Sequence, residues 1–347
     1  MQEVTLRQPD DWHVHLRDGS VLEAVLPYTA RQFARAIIMP NLSTPVTTPS
    51  QAAGYRRRIL QALPDDANTA CFMPLMTAYL TDEIQVGDLL EGFQDGVFHA
   101  AKLYPANATT NSSQGVTDIK KLAPVFRKMQ EIGMPLLIHG EVTNPDVDIF
   151  DREAIFIRDV LKPLIDEFSG LKVVLEHITT QQSVDFIRSM EGRVGATITA
   201  HHLIINRNAM FQGGLRPHHY CLPVAKREEH RLALREAATS GHPAFFLGTD
   251  TAPHPVGAKE MDCGCAGIFS ALSALELYAQ VFEEENALDK LEGFASLHGP
   301  AFYGLKANED LVTLVKQDWQ VPQYLDIPDG QQIRPFQAGE TLRWKLL

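Results

Sequence analysis

"WHVHL" (residues 12–16) is a short apolar run set between the polar "QPDD" (8–11) and "RDGS" (17–20). A helix-like stretch, "VLEAVLPYTARQFA" (21–34), follows, and then a second apolar run, "ARAIIMP" (34–40). The alternation continues through "ACFMPLM" (70–76), "GVFHAAKLY" (96–104), "MPLLIHG" (134–140), "KVVLEHI" (172–178), "VGATIT" (194–199) and "AFFLGTD" (244–250). That makes eight runs. Several are almost continuously apolar, as parallel strands buried on both faces must be. The stretches between them, such as "DIKKLAPVFRKMQEIG" (118–133) and "DREAIFIRDVLKPLIDEFSG" (151–170), are amphipathic. Both end in glycine, Gly133 and Gly170, as helices with left-handed C-caps do. Eight strand-then-helix units predict an α/β fold, a (β/α)8 TIM barrel over 1–347 with short flanking N- and C-terminal segments. A doubly wound sheet is the alternative, but no glycine-rich phosphate loop follows the first run. The stretch from Glu309 onward mixes short apolar runs with polar turns and is expected to pack outside the barrel.

Composition narrows the function. The formal net charge is -12, so sequence-independent binding of nucleic acid through a basic surface is not expected. An anionic ligand would need a local positive pocket. Four cysteines in 347 residues make no disulfide framework, and reduced thiols are the expectation. "MQEVTLRQPDDW" (1–12) holds no apolar signal core, and no run reaches the ~20 residues that span a bilayer. The expected location is the cytoplasm, away from the membrane.

The ends of the runs carry the chemistry. Side chains two apart on a strand share a face, so His13 and His15 point together into the barrel interior. Buried imidazoles without partners are costly, and a metal ion would satisfy both. His139, His177 and Asp250 stand at or near the ends of their own runs, and Lys102 lies late in "GVFHAAKLY". In TIM barrels the C-terminal strand ends converge on one face, where active sites form. A single such histidine is ordinarily a satisfied core residue; six groups at one face are not. Lys102 is the odd member, because an ammonium repels metals. Burial favours its neutral amine, which can take up carbon dioxide as a carbamate. Arg17, two residues past His15, continues the inward parity and offers a fork for a carboxylate.

These residues sit in motifs that make the resemblance specific: "HVHLRDG", "IIMPNLSTPVTT", "AAKLYPANATTNSSQGV", "PLLIHGEV", "VLEHITT" and "LGTDTAPH". Over essentially its whole length the chain resembles the dihydroorotases of the amidohydrolase superfamily, in their shorter bacterial-type class. The resemblance implies two Zn2+ per chain. His13, His15 and Asp250 would hold one and His139 and His177 the other, with carboxylated Lys102 (N6-carboxylysine) and a hydroxide bridging them. It implies the reversible cyclisation of N-carbamoyl-L-aspartate to L-dihydroorotate, a step of pyrimidine biosynthesis, with Asp250 as the proton carrier. Substrate contacts would come from His15, Arg17, Asn41, His139 and His254, and from the backbone around Leu222 and Ala266. It also implies a homodimer. The polar stretch "NATTNSSQG" (107–115) follows the Lys102 run and reads as a lid carrying Thr109 and Thr110 to the substrate. The doublets His201/His202 and His218/His219 are left out of the ligand set, which is already complete.

Two other readings compete. Hydantoinases and allantoinases resemble the chain at the metals, but they carry a β-sandwich built partly from an N-terminal segment. Only twelve residues precede His13. A barrel that had lost its metals and serves as a scaffold would also have lost ligands.

Overall fold

The computed structural model describes residues 2–66 and 69–347. The strands, in chain order, are β1 (Glu3–Arg7), β2 (Asp10–Val14), β3 (Arg35–Ile38), β4 (Met73–Tyr79), β5 (Ala100–Leu103), β6 (Leu136–Ile138), β7 (Val173–Leu175), β8 (Val194–Ile198) and β9 (Phe245–Leu247). Each of the eight apolar runs supplies one strand from β2 to β9. Those eight pair in sequential order, every neighbour parallel, with a helical crossover between most pairs. The fold is the expected (β/α)8 barrel.

Closure between β9 and β2 uses side chains as well as backbone. Asp11, fully buried, accepts from the Thr249 N–H (2.9 Å) and from the Thr249 hydroxyl (2.6 Å). The Asp250 N–H donates to the His13 carbonyl (2.9 Å), and the His15 N–H to the Thr251 carbonyl (3.0 Å). The seam that shuts the barrel therefore brings Asp250 against His13 and His15. Burial raises the Asp11 carboxyl to about 6, partly offset by its bonds from Thr249 and His13.

β2 carries a bulge. Asp11 pairs with Ala36 and Val14 with Ile38, so three steps on β2 match two on β3. One extra residue flips the side-chain alternation, and Trp12 and His13 both reach the interior. Trp12 goes down into an apolar plug with Ile37, Leu75, Leu137, Val174 and Phe246. There it stacks on Tyr303, ring centroids 4.3 Å apart. His13 goes up toward Asp250.

A larger apolar shell fills the space between strands and helices. The helix Pro49–Gln61 starts with a complete capping box on Thr48 and Gln51. Gly133 caps the helix Ala123–Ile132 in the left-handed conformation, as expected. Gly170 does not play that part. The helix Lys162–Glu167 is capped by Phe168, and Gly170 donates its N–H to the Gln130 side chain and packs closely against it.

The C-terminal stretch forms β10 (Leu311–Gln320), β11 (Leu325–Asp326), β12 (Gln332–Ile333) and β13 (Thr341–Leu346). β1 joins β10 and β13 in a three-stranded antiparallel sheet outside the barrel. The residues before His13 thus do contribute a strand, to a small sheet shared with the chain's last residues. Among the described residues, no helix is long and apolar enough to cross a membrane. The cysteines are unpaired.

Candidate active site

Each ionisable group follows from where its strand stops. On β5, Ala100 lies in the apolar plug and Lys102, two residues on, points into the same interior one layer higher. Leu137 and His139 repeat this across the end of β6, and Val174 and Glu176 across the end of β7. His177 then turns inward as well, because its backbone is left-handed (φ 42°). Asp250 is held the same way (φ 45°). A positive φ is uncommon for residues with side chains and is tolerated where surroundings enforce it.

Three of these groups form a triangle. His13 Nε2, His15 Nε2 and Asp250 Oδ1 lie 3.2 Å from one another, all buried. Donors 2.0–2.1 Å from a tetrahedral zinc stand ~3.3 Å apart, so the spacing fits one such ion. Burial lowers both imidazoles' basicity, His15 to about 3, leaving neutral rings with lone pairs to offer. Asp250 stays ionised: burial would raise its pKa, but His13, His15 and His177 together hold it well below the usual carboxylate range.

The second cluster adjoins the first. The His177 ring lies 4.9 Å from those of both His13 and His139, centroid to centroid. Lys102 Nζ contacts the Glu176 carboxylate and sits 4.8 Å from the Tyr104 ring centre. Burial drives Lys102 well below the ordinary lysine range, against a smaller opposing pull from Asp250. Glu176 Oε1 lies 3.0 Å from His13 Nδ1, while the unpartnered buried atoms include His15 Nδ1 and His177 Nδ1. Polar groups buried this way need a ligand.

Above the cluster lies a small cavity. His15, His139, His177 and Asp250 form its floor, Arg17 and Asn41 one side, and Leu222 and Ala266 another. Thr109 and Thr110 border it from the 107–115 loop. Asn41 Nδ2 donates to the Thr110 carbonyl (3.0 Å), and the Thr110 hydroxyl to the Ala266 carbonyl (3.3 Å). The loop therefore lies against the cavity, braced within itself by Ser112. Arg17 Nη2 is 3.0 Å from His254 Nε2, which is also 3.1 Å from the Ala266 carbonyl. Burial, then the charges of Arg17 and Lys259, depress His254 to about 2, so its ring is neutral.

The Amidohydrolase family model matches residues 11–309. A dihydroorotase of Ralstonia pickettii is 61% identical over 343 residues, 99% of this chain and 98% of that one. One of Parasynechococcus marenigrum is 62% identical, with 99% and 98% covered. The chain belongs to the amidohydrolase family, among the dihydroorotases. The crystal structure of Saccharomyces cerevisiae dihydroorotase in complex with 5-fluoroorotic acid superposes with a TM-score of 0.92 at 36% identity, covering 100% of this chain and 99% of that one.

In this dihydroorotase fold all thirteen residues singled out from the sequence meet at one end of the barrel. Arg17 does not inherit the inward parity of a strand, since β2 ends at Val14. It reaches the cavity because its own backbone is left-handed (φ 59°), and Tyr55 pins its carbonyl (2.6 Å). Sequence reading also missed Glu176 and Tyr104. Both share strand parity with inward neighbours, Val174 and Lys102, and that parity was the signal available. The His201/His202 doublet does gather with Cys221. His202, however, is already engaged through Nδ1 with Thr199 (2.9 Å) and through Nε2 with the Pro223 carbonyl (3.0 Å). His218 pairs with Glu260 and His219 with the Ala209 carbonyl, apart from the His13–His15–Asp250 triangle.

Proposed function

We propose that this chain catalyses the dihydroorotase reaction, the reversible closure of N-carbamoyl-L-aspartate to L-dihydroorotate with loss of water, in pyrimidine biosynthesis. The observation that carries this is the triangle of His13, His15 and Asp250 lying directly beneath the Arg17–His254 pair. A centre for polarising an amide adjoins a cationic clamp for a carboxylate.

His13, His15 and Asp250 would hold one divalent ion, His139 and His177 a second, and Lys102, carboxylated, would join them. Two zinc ions, when bound, supply Lewis acidity toward an amide carbonyl and acidify water toward neutral pH. The rest falls to the chain's own groups. Asp250, ionised, takes the proton of the attacking water during ring opening and delivers it to the leaving ring nitrogen. In closure the same carboxyl starts protonated. Arg17 binds the substrate carboxylate through its fork, with Asn41 and neutral His254 as hydrogen-bonding partners. Backbone groups near Leu222 and Ala266 meet the edge of the ring, and Thr109 and Thr110 close over it to exclude water.

Support for the Lys102 carbamate is the depressed basicity of its amine and its place among five other ligand candidates. The scaffold reading fares poorly, since all six groups are present and converge. A cytoplasmic homodimer completes the proposal, and light scattering of the purified chain tests the dimer.

The deciding experiment assays dihydroorotate beside hydantoin and allantoin, with metal content measured on the same sample. Turnover of dihydroorotate alone, with about two ions per chain, is expected. Preference for either other ring would overturn the substrate assignment. An anomalous-scattering map would test the two ions and the state of Lys102.

A further inference from the structure

Lys259 stands outside this machinery, and nothing in its sequence context distinguishes it from a surface lysine. It ends the four-residue helix Val256–Lys259 and is buried. Its ammonium donates to three carbonyls: Tyr220 (2.8 Å), Cys265 (2.7 Å) and Gly267 (2.7 Å). An ammonium has three N–H donors and no acceptor, so its capacity is filled by these backbone oxygens. No carboxylate is among them.

The three carbonyls belong to the two segments that face the cavity. Cys265 and Gly267 flank Ala266, which borders it, and Tyr220 lies two residues before Leu222, which does too. The Gly267 N–H donates to the Tyr220 carbonyl (3.0 Å), tying the segments together beside the ammonium. The loop also packs tightly on Lys259 from behind, where a Cβ on Gly264 would lie 2.4 Å from the Lys259 carbonyl. Ala266 in turn takes the Thr110 hydroxyl and faces His254 Nε2. Burial brings Lys259 down to about 8, so it remains mostly charged at neutral pH.

We propose that Lys259 is a positioning residue: its ammonium holds the Tyr220–Leu222 and Cys265–Gly267 segments, and through Ala266 the Thr110 loop, in the arrangement that receives substrate. This rests on the dihydroorotase reading of the cavity. Lys259 does not line the cavity, and its hydrogen bonds go to the three carbonyls alone. Without the charge, the Cys265 and Gly267 carbonyls lose their ammonium donor and the Tyr220 carbonyl is left with the Gly267 N–H alone. The loops must then move apart, and Ala266 moves with them.

The test uses full-length, metal-loaded Lys259→Met and Lys259→Gln, with Thr110→Val and the Lys259→Met/Thr110→Val double variant. Lys259→Met should raise KM for dihydroorotate and carbamoyl aspartate about tenfold or more, while kcat falls less than threefold and metal content stays unchanged. Lys259→Gln, which keeps two donors, should fall between Met and wild type. Thr110→Val should cost less in the Lys259→Met background than alone, because the loop is already released. An unchanged KM in folded Lys259→Met, or strictly multiplicative effects with Thr110→Val, would falsify the proposal. If neither Lys259 variant folds, the residue is a scaffold element and the proposal also falls. Wild-type turnover of dihydroorotate is measured alongside: its absence defeats the functional reading, whereas its presence with a normal Lys259→Met defeats only this inference.

Discussion

Inside the barrel two layers lie one strand repeat apart, and they answer opposite demands. The lower holds Trp12, Ala100, Leu137, Val174 and Phe246. The upper holds His13, Lys102, His139, Glu176 and Asp250. Ala100 and Lys102 are separated by about 6.6 Å of strand, yet one is packed hydrocarbon and the other an amine stripped of its usual basicity. The lower layer is stabilised by close packing of side chains that are apolar except for the Trp12 indole N–H, which is buried without a partner. The upper layer concentrates buried polar atoms without protein partners, an arrangement that is costly until a ligand arrives. The lower layer thus provides stability, and the upper layer uses some of it to keep reactive groups dry and mutually close.

This contrast can be broken from either side. The largest effect is expected from Lys102→Ala, which should lose metal and reduce turnover roughly 10⁴-fold, since Lewis-acid assistance is worth several kcal/mol. Short carboxylic acids should restore part of both metal and activity. Two retained ions with near-normal turnover would remove Lys102 from the site.

Trp12→Ala attacks the lower layer one residue from His13. Loss of its stack on Tyr303 should cost about 3–5 kcal/mol of stability by denaturant titration, with metal content and kcat of the folded fraction close to wild type. A variant as stable as wild type would show that the plug is not what supports the mouth.

Asp250→Asn returns to the upper layer. With occupancy verified, turnover in both directions should drop at least ~10²-fold, the lower range for general acid–base catalysis. Normal rates in a fully loaded sample would rule out its proton transfer. Gly299→Ala is a subtler strike on the plug, because a Cβ there would fall 1.9 Å from Trp12 Nε1. Overpacking of this sort costs about 1–3 kcal/mol, read as a lower melting temperature without change in KM.

The smallest effect is a slope with pH. Carbamoyl aspartate carries two carboxylates and dihydroorotate one, so closure consumes a proton. Opening uses an Asp250 that is already ionised and a water that bound zinc would acidify toward neutral pH, so it should speed up as pH rises toward neutrality, then level off. Closure uses the protonated carboxyl and should slow, by up to about tenfold per pH unit above that group's pKa. Rate profiles measured in both directions that ran parallel would contradict this assignment.

Much of this was legible from the chain alone. Eight apolar runs separated by amphipathic stretches specify a parallel barrel, because strands buried on both faces cannot be polar and crossovers must be helical. Ionisable residues at the ends of those runs locate the site, because parallel strands deliver all their C-terminal ends to one face. Local periodicity goes no further than where a strand is regular. The bulge that turns both Trp12 and His13 inward, and the left-handed turns at Arg17, His177 and Asp250, are set by contacts across the barrel seam and the loops above it. Parity carried past the end of a strand holds for His139 and Glu176 but fails for Arg17, which reached its place by another route. Parity with Val174 hints that Glu176 faces inward, but the partners of Glu176 and of Lys259 are decided by tertiary structure. A charged residue is taken as exposed until the fold shows which partners surround it, and those partners come from segments distant in sequence: His13 and Lys102 for Glu176, three loop carbonyls for Lys259.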